Sequence, residues 1–168
     1  MKQNKTQRLK GKVAIVIGGG QSIGETIGNG RATSITYARE GAKVLVVDNN
    51  LESAQETTRE IKRIGGVGLA YRADVTIETE IKMMVEHAKK TFGKIDILHN
   101  NVGVSISGGD AEITEIQNDN FDQIMAINLK SMVFACKYIL PIMRKQKFGN
   151  IINISSTAVH EEYPWVTY

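Results

Sequence analysis

At 168 residues, with 42% apolar and 23% charged side chains, the chain has the size and balance of one globular domain with a proper core, and its length argues against two. The net charge is +3, but residues 1–10 hold Lys2, Lys5, Arg8 and Lys10 and no acid, so the remaining chain nets −1. A near-neutral body with a short basic tail argues against a nucleic-acid partner, and no apolar run approaches the ~20 residues of a membrane span.

The charged N-terminus "MKQNKTQRLKGK" lacks the apolar centre of a signal peptide. The single cysteine, Cys136, excludes an internal disulfide and fits a reducing, cytoplasmic setting. On an apolar helix it reads as packing rather than as a nucleophile. His87, His99 and His160 lie on different elements without ligand spacing, so no metal site is expected.

Apolar runs alternate with helix-period segments along the chain. "KVAIVI" (12–17) reads as a buried strand, short and β-branched. A glycine-dense stretch follows, with Gly18, Gly19, Gly20, Gly24, Gly28 and Gly30. "RATSITYARE" (31–40) reads as a helix that stops at Gly41. "AKVLVVD" (42–48) is a second buried strand. "LESAQETTREIKRIGG" (51–66) places Leu51, Ala54, Thr58 and Ile61 on one helical face and ends at Gly65 and Gly66.

"VGLAYRAD" (67–74) is a third strand. In the helix of 77–93, Ile77, Ile81, Met84, Ala88 and Phe92 share a face, with Glu78 and Glu80 near its positive end and Lys89 and Lys90 near its negative end. "KIDILHN" (94–100) is a fourth strand. After a polar, glycine-bearing loop, a long helix runs from about Asn118 to Lys147, with Pro141 expected to kink or end it. "NIINISS" (150–156) is a fifth strand.

Strand and helix alternating throughout imply parallel strands joined by right-handed crossovers, with helices on both faces. The fold class is therefore α/β, a doubly wound parallel sheet of at least five strands. No repeat or linker divides it, so 1–10 is read as a basic tail and 11–168 as one domain. A ligand belongs at the carboxyl ends of the strands. Those ends carry the glycine-rich stretch, Asp48, Asp74, "NNVG" (100–103), and Ser155 with Ser156.

These residues resemble the short-chain dehydrogenase/reductase family. There, the first strand leads into TGxxxGxG, the fourth ends in NNAG, the long helix carries an asparagine, and the fifth strand ends in a serine followed by a tyrosine. Here stand "IGGGQSIG", "NNVG", "AINLKS" with Asn128, "GNIINISS", and Tyr168. The resemblance runs from about Leu9 to Tyr168. Val102 replaces the usual alanine, and Tyr168 follows Ser156 by 12 residues, one fewer than usual.

The resemblance implies an NAD-binding domain whose strands take the Rossmann-like order 3-2-1-4-5. Gly18 would turn the chain off the strand, while Gly28, Asn29 and Gly30 would admit the pyrophosphate at a helix N-terminus. Asp48 would bind the hydroxyls of the adenosine ribose, and as a carboxylate with no Arg behind it favours NAD over NADP; its other reading is a helix cap or turn residue. Asp74 and Val75 would contact the adenine side, although Asp74 could equally cap the helix near Ile77. Asn100, Asn101 and Gly103 would shape the wall behind the cofactor.

For the chemistry, the resemblance implies Tyr168 as general acid/base, Ser156 as the holder of the substrate oxygen, and Asn128 as the holder of a water in the proton path. Asn128 is otherwise a satisfied buried polar residue, and Tyr163 is a rival tyrosine. The function implied is hydride transfer between NAD(H) and a small alcohol or ketone, in a homodimer or homotetramer. A non-catalytic nucleotide-binding or scaffolding relative is the alternative, and a methyltransferase would leave "NNVG" and the Ser156/Tyr168 pair unexplained. The family's lysine, four residues past the tyrosine, would fall beyond Tyr168. The 168 residues are therefore expected to be part of a longer enzyme, and to bind cofactor poorly and catalyse little alone.

Two registers compete for the start of the first helix, "SIGE" (22–25) and "GNGR" (28–31). A helix from Gly24 would carry Gly28 and Gly30 in its early turns, each costing ~1 kcal/mol relative to Ala. The expectation is a helix beginning near Gly28 to Gly30, with Gln21 to Ile27 an insertion of about six residues in the phosphate loop.

Overall fold

The computed structural model describes residues 6–21, 24, 26–160, 163, 166 and 167. Five parallel strands form one sheet in the order β3-β2-β1-β4-β5: β1 Val13–Ile17, β2 Lys43–Asp48, β3 Val67–Arg72, β4 Ile97–Asn100 and β5 Asn150–Asn153. The central strands are buried on both faces, as the unbroken β-branched runs of β1 and β2 require. Helices α1 Asn29–Arg39 and α2 Leu51–Arg63 follow the first two strands, and α3 Glu78–Phe92 follows the third. One apolar cluster joins Val16, Val44 and Val46 to Ala38, Ala54 and Ile61. The larger one joins Ile15, Leu45 and Leu98 to Ile81, Met84 and Ile139.

The helix ends follow their local chemistry. Gly41 (φ +94°) and Gly93 (φ +80°) adopt the left-handed conformation where α1 and α3 stop. Asn50 caps α2, its Oδ1 accepting from the Ser53 N–H at 3.1 Å. Thr57 joins the buried face of α2, whereas Leu51 and Ile77, expected on core faces, are exposed at the first turn of α2 and the N-cap of α3. An end residue has no turn before it to share its burial.

The long helix departs most from expectation. It comprises α4 Asn118–Met125, a π-turn Ala126–Lys130, and α5 Ser131–Gln146. Pro141 lies inside α5 and does not end it. By length and composition the whole helix could cross a bilayer, contrary to the sequence expectation. Its buried residues Ile124, Ala135, Ile139 and Met143 nevertheless make it a core helix of the domain. Leu129 and Val133 lie off that core line, 52% and 55% exposed, while Met125 and Met132 are half-buried and Cys136 packs against the core.

The fourth and fifth strands are both shorter than expected. The fourth strand begins at Ile97, because Asp96 is used instead to anchor β1, accepting from the Val13 N–H at 2.8 Å while Lys94 pairs with it at 2.9 Å. The fifth strand ends at Asn153, so Ser155 and Ser156 stand beyond the ladder in an exposed connection.

Candidate functional site

At the carboxyl ends of β1 and β4, where the strand order reverses, lies a cavity of about 760 Å³. Gly18, Gly20, Asp48, Asp74, Asn101 and Gly103 all line it, with Val75 beside Asp74 and Ala126 and Ile127 of the long helix along one side. The sequence therefore selected the floor of this cavity from motifs up to 85 positions apart in the chain.

The first turn off β1 is held by its neighbours. The Gly18 and Gly19 N–H groups both donate to the Val47 carbonyl, at 2.8 and 2.9 Å. Gly18 has φ +74°, and a Cβ there would lie 2.8 Å from Val102 Cγ2. Its carbonyl accepts from Asn101 Nδ2 at 3.1 Å, and Asn101 N–H donates to the Ile17 carbonyl at 3.1 Å, so Asn101 ties the ends of β1 and β4 together. Asn100 does the same for β4 and β5, donating to Asn153 Oδ1 at 2.7 Å.

The helix register is that of "GNGR". Gly28 is the N-cap residue of α1, at φ −68° and ψ 150°. Gly24, Thr26 and Ile27 are not helical. Ser22, Ile23 and Glu25 lie outside the described residues. Gln21 closes this insertion: its Nε2 donates to the Thr26 carbonyl and its Oε1 accepts from the Gly28 N–H, both at 2.8 Å. Its own backbone is held by Ser53, whose Oγ accepts from Gln21 N–H at 2.5 Å and donates to the Gln21 carbonyl at 3.0 Å.

Gly28, Asn29 and Gly30 are not among the described residues lining the cavity. Gly30 also has a packing role that the sequence did not show. A Cβ on Gly30 would sit 1.8 Å from the Gly18 carbonyl oxygen and 2.8 Å from Asn101 Nδ2. Gly30 lets α1 rest directly on the strand turn, while Gly18 and Gly20 face the cavity. The N–H groups of Asn29, Gly30 and Arg31 precede the first intrahelical bond, from Ala32 to Gly28, which leaves them aimed outward from the helix start.

Asp48 is placed at the cavity edge and is not a helix cap, since Asn50 caps α2. Its Oδ2 accepts from Gly20 N–H and its Oδ1 from Asn50 N–H, both at 3.0 Å. Each oxygen keeps lone pairs for a further donor. A Cβ on Gly20 would come within 2.5 Å of Asp48 Oδ2, so the glycine loop is pressed onto this carboxylate. No basic residue is among the described residues lining the cavity. Arg31, the nearest cation in sequence to the loop, is turned onto α2, donating to Glu56 at 2.8 Å and to Thr57 at 3.1 Å. That contact holds the Glu56 carboxyl below its ordinary range.

Asp74 has a foot in each of its two readings. It lines the cavity, yet its Oδ1 accepts from the Thr76 hydroxyl at 2.7 Å and the Thr76 N–H at 2.9 Å, building the turn before α3. These bonds, the hydroxyl's first, hold its carboxyl below the usual range. The N-cap itself is Ile77.

Asn128 lies in the π-turn and spends its side chain on the loop after β4. Its Oδ1 accepts from Val104 N–H at 2.9 Å and its Nδ2 donates to the Val104 carbonyl at 2.8 Å. A π-turn places one extra residue in a turn and disturbs the helical ladder, a feature that recurs at functional sites. Ser156 Oγ accepts from Ala158 N–H at 3.1 Å as the N-cap of a short 3-10 turn, and keeps its own proton to donate. The rival Tyr163 has its hydroxyl 3.5 Å from Thr157 Oγ1. Tyr168 lies outside the described residues.

One residue of this region escaped the sequence reading. Asp110 is buried in the loop after β4 and binds both Ser105 and Thr167. Nothing in "SGGDAE" distinguishes it from an exposed turn aspartate.

A short chain dehydrogenase family profile matches residues 12–168. The 3-oxoacyl-(acyl-carrier-protein) reductase FabG of Thermotoga maritima is 32% identical over 149 residues, which is 89% of this chain and 57% of that protein. A 7α-hydroxysteroid dehydrogenase solved with NADH and 7-oxo glycochenodeoxycholic acid superposes with a TM-score of 0.85 at 32% identity, covering 98% of this chain and 61% of that one. An NAD+-bound xylitol dehydrogenase superposes equally well at 30% identity, over 95% and 58%. The chain belongs to the short-chain dehydrogenase/reductase family. It spans little more than half the length of the curated relatives it matches.

Proposed function

We propose that the protein is an NAD(H)-dependent oxidoreductase acting on a small alcohol or ketone. The single observation carrying the cofactor assignment is Asp48 at the edge of a cavity whose described lining has no basic residue. Its carboxylate accepts hydroxyl donors of an adenosine ribose and repels a 2′-phosphate. The residues present fit a dinucleotide: Gly18 and Gly20 let the loop lie against Val102 and Asp48 at the cavity edge, and the α1 N-terminus favours anions. Relatives solved with NADH or NAD+ support the same class of cofactor. When bound, the nicotinamide supplies or accepts the hydride.

The chain's own residues handle the oxygen and its proton. The Ser156 hydroxyl donates to the substrate oxygen and orients it. Tyr168 gives that oxygen a proton during reduction and removes one during oxidation. An unassisted tyrosine, with a pKa of about 10, is a weak base at neutral pH, so this step requires the cationic lysine that the family supplies four residues later. Asn128 braces the wall between the long helix and Val104. The outward apolar residues of that helix, Leu129 and Val133 among them, suit a homodimer or homotetramer.

Turnover of NADH with a panel of ketones, and of NAD+ with the matching alcohols, tests the reading on the full-length protein. Tyr168→Phe is expected to lower kcat at least a hundredfold and Ser156→Ala at least tenfold, with NADH affinity retained, in line with the ~10²–10⁴-fold contribution of a positioned acid/base. A Tyr168→Phe protein with undiminished turnover would refute the assignment.

A further inference from the structure

The geometry points to Asp110 as a positioning residue that holds the chain next to Tyr168, an inference that rests on the oxidoreductase reading. Asp110 is only 7% exposed, although it sits in a loop 57 residues before Thr167 in sequence. Its Oδ1 accepts from the Thr167 N–H at 2.8 Å, and its Oδ2 accepts from the Ser105 hydroxyl at 2.9 Å. The Thr167 hydroxyl donates to the Ala111 carbonyl at 2.6 Å. Thr167 is thus gripped twice by consecutive residues, and Tyr168 is the residue that follows it in sequence.

The grip is anchored at its other end. Asn128 binds both backbone groups of Val104. The Ser105 carbonyl accepts from Gly108 at 2.7 Å and from Asp110 at 3.2 Å. Gly109 turns at φ +92° against Asn120, and Gly108 packs against Val104 and Ile124. A hydrogen-bonded path therefore runs from the π-turn of the long helix, through the loop, to the residue before Tyr168. Burying a carboxylate is costly unless donors surround it. Two donors converging from distant segments give Asp110 a reason to be an acid. An asparagine could accept from one of them only by turning its NH₂ toward the other.

Asp110 is not among the described residues lining the cavity, so its effect should appear in kcat and not in cofactor affinity. Asp110→Asn in the full-length protein is expected to speed amide exchange at Thr167 at least tenfold, by NMR or mass spectrometry, and to lower kcat at least tenfold with the NADH Kd within twofold. Should that variant fail to fold, Ser105→Ala removes only the hydroxyl that fixes Asp110 Oδ2 and is expected to speed exchange at Thr167 and lower kcat at least threefold, again with the NADH Kd retained. Unchanged exchange, faster exchange with unchanged kcat, or a parallel loss of NADH affinity would each overturn the inference. A wild-type protein without turnover would refute the oxidoreductase reading on its own, and the exchange measurement would then still decide whether Asp110 holds this segment.

Discussion

Replacing Gly30 by alanine tests how α1 is seated. The new Cβ would lie 1.8 Å from the Gly18 carbonyl oxygen, and ordinary contact begins near 3.4 Å, so about 1.6 Å of separation must be found. Neither obstacle is a flexible side-chain end: one is backbone, and the other is the Asn101 amide already bonded to that same carbonyl. Overpacking of this kind costs about 1–3 kcal/mol, and losing the Asn101 bond adds about 1 kcal/mol. For a chain of this length each kcal/mol lowers Tm by about 2–4 °C, which gives a fall of about 5–15 °C. Gly28→Ala is the control. Its nearest neighbour would be Gln21 Oε1 at 3.6 Å and its φ is −68°, so the cost should stay below about 1 kcal/mol. Thermal unfolding of the two variants, followed by circular dichroism, decides the matter. If Gly28→Ala melts lower than Gly30→Ala, the register and the close packing assigned to "GNG" are wrong.

Other outcomes follow from the same structure. Asp48→Asn is expected to weaken NADH binding at least tenfold, by loss of charged hydrogen bonds worth ~1.5–3 kcal/mol, and to narrow the preference over NADPH; equal losses for both cofactors would count against a ribose contact. His99 is buried beside Tyr37, and burial lowers its pKa from 6.5, so the fold favours its neutral form. Between that lowered value and 6.5 the unfolded chain binds more protons, so stability should fall as pH drops through this window. In His99→Gln the dependence of Tm on pH from 7 to 5 should be flatter, and an unchanged slope would exclude the histidine as its source. Gln21→Ala removes the bonds to Thr26 and Gly28. Proteolysis of the 21–28 loop should accelerate severalfold, while a cleavage rate equal to wild type would show that the amide does not hold the insertion.

The strands and the positions of Gly18, Asp48, Asp74 and Asn101 were legible because buried parallel strands read as continuous apolar runs and their carboxyl ends define the ligand edge; the order of the strands came with the family resemblance. The register of α1 was legible too, since two helical glycines are costly. What lay hidden depends on long-range contact. The grip of Asp110 on Thr167 joins positions whose local sequence gives no sign of one another. The packing role of Gly30 arises from the approach of a helix to a carbonyl, which a glycine pattern alone does not reveal. The π-turn at Asn128 and the passage of α5 through Pro141 arise because the docked helix tolerates local breaks that propensity would place at its ends.

The central claim is that these residues form a nicotinamide dinucleotide site whose selectivity resides in Asp48. Calorimetric titration of the full-length protein with NADH and NADPH at the same ionic strength measures it most directly. The account expects NADH to bind at least tenfold more tightly than NADPH, with the difference shrinking in Asp48→Asn. Tighter binding of NADPH, or no binding of either, would contradict it.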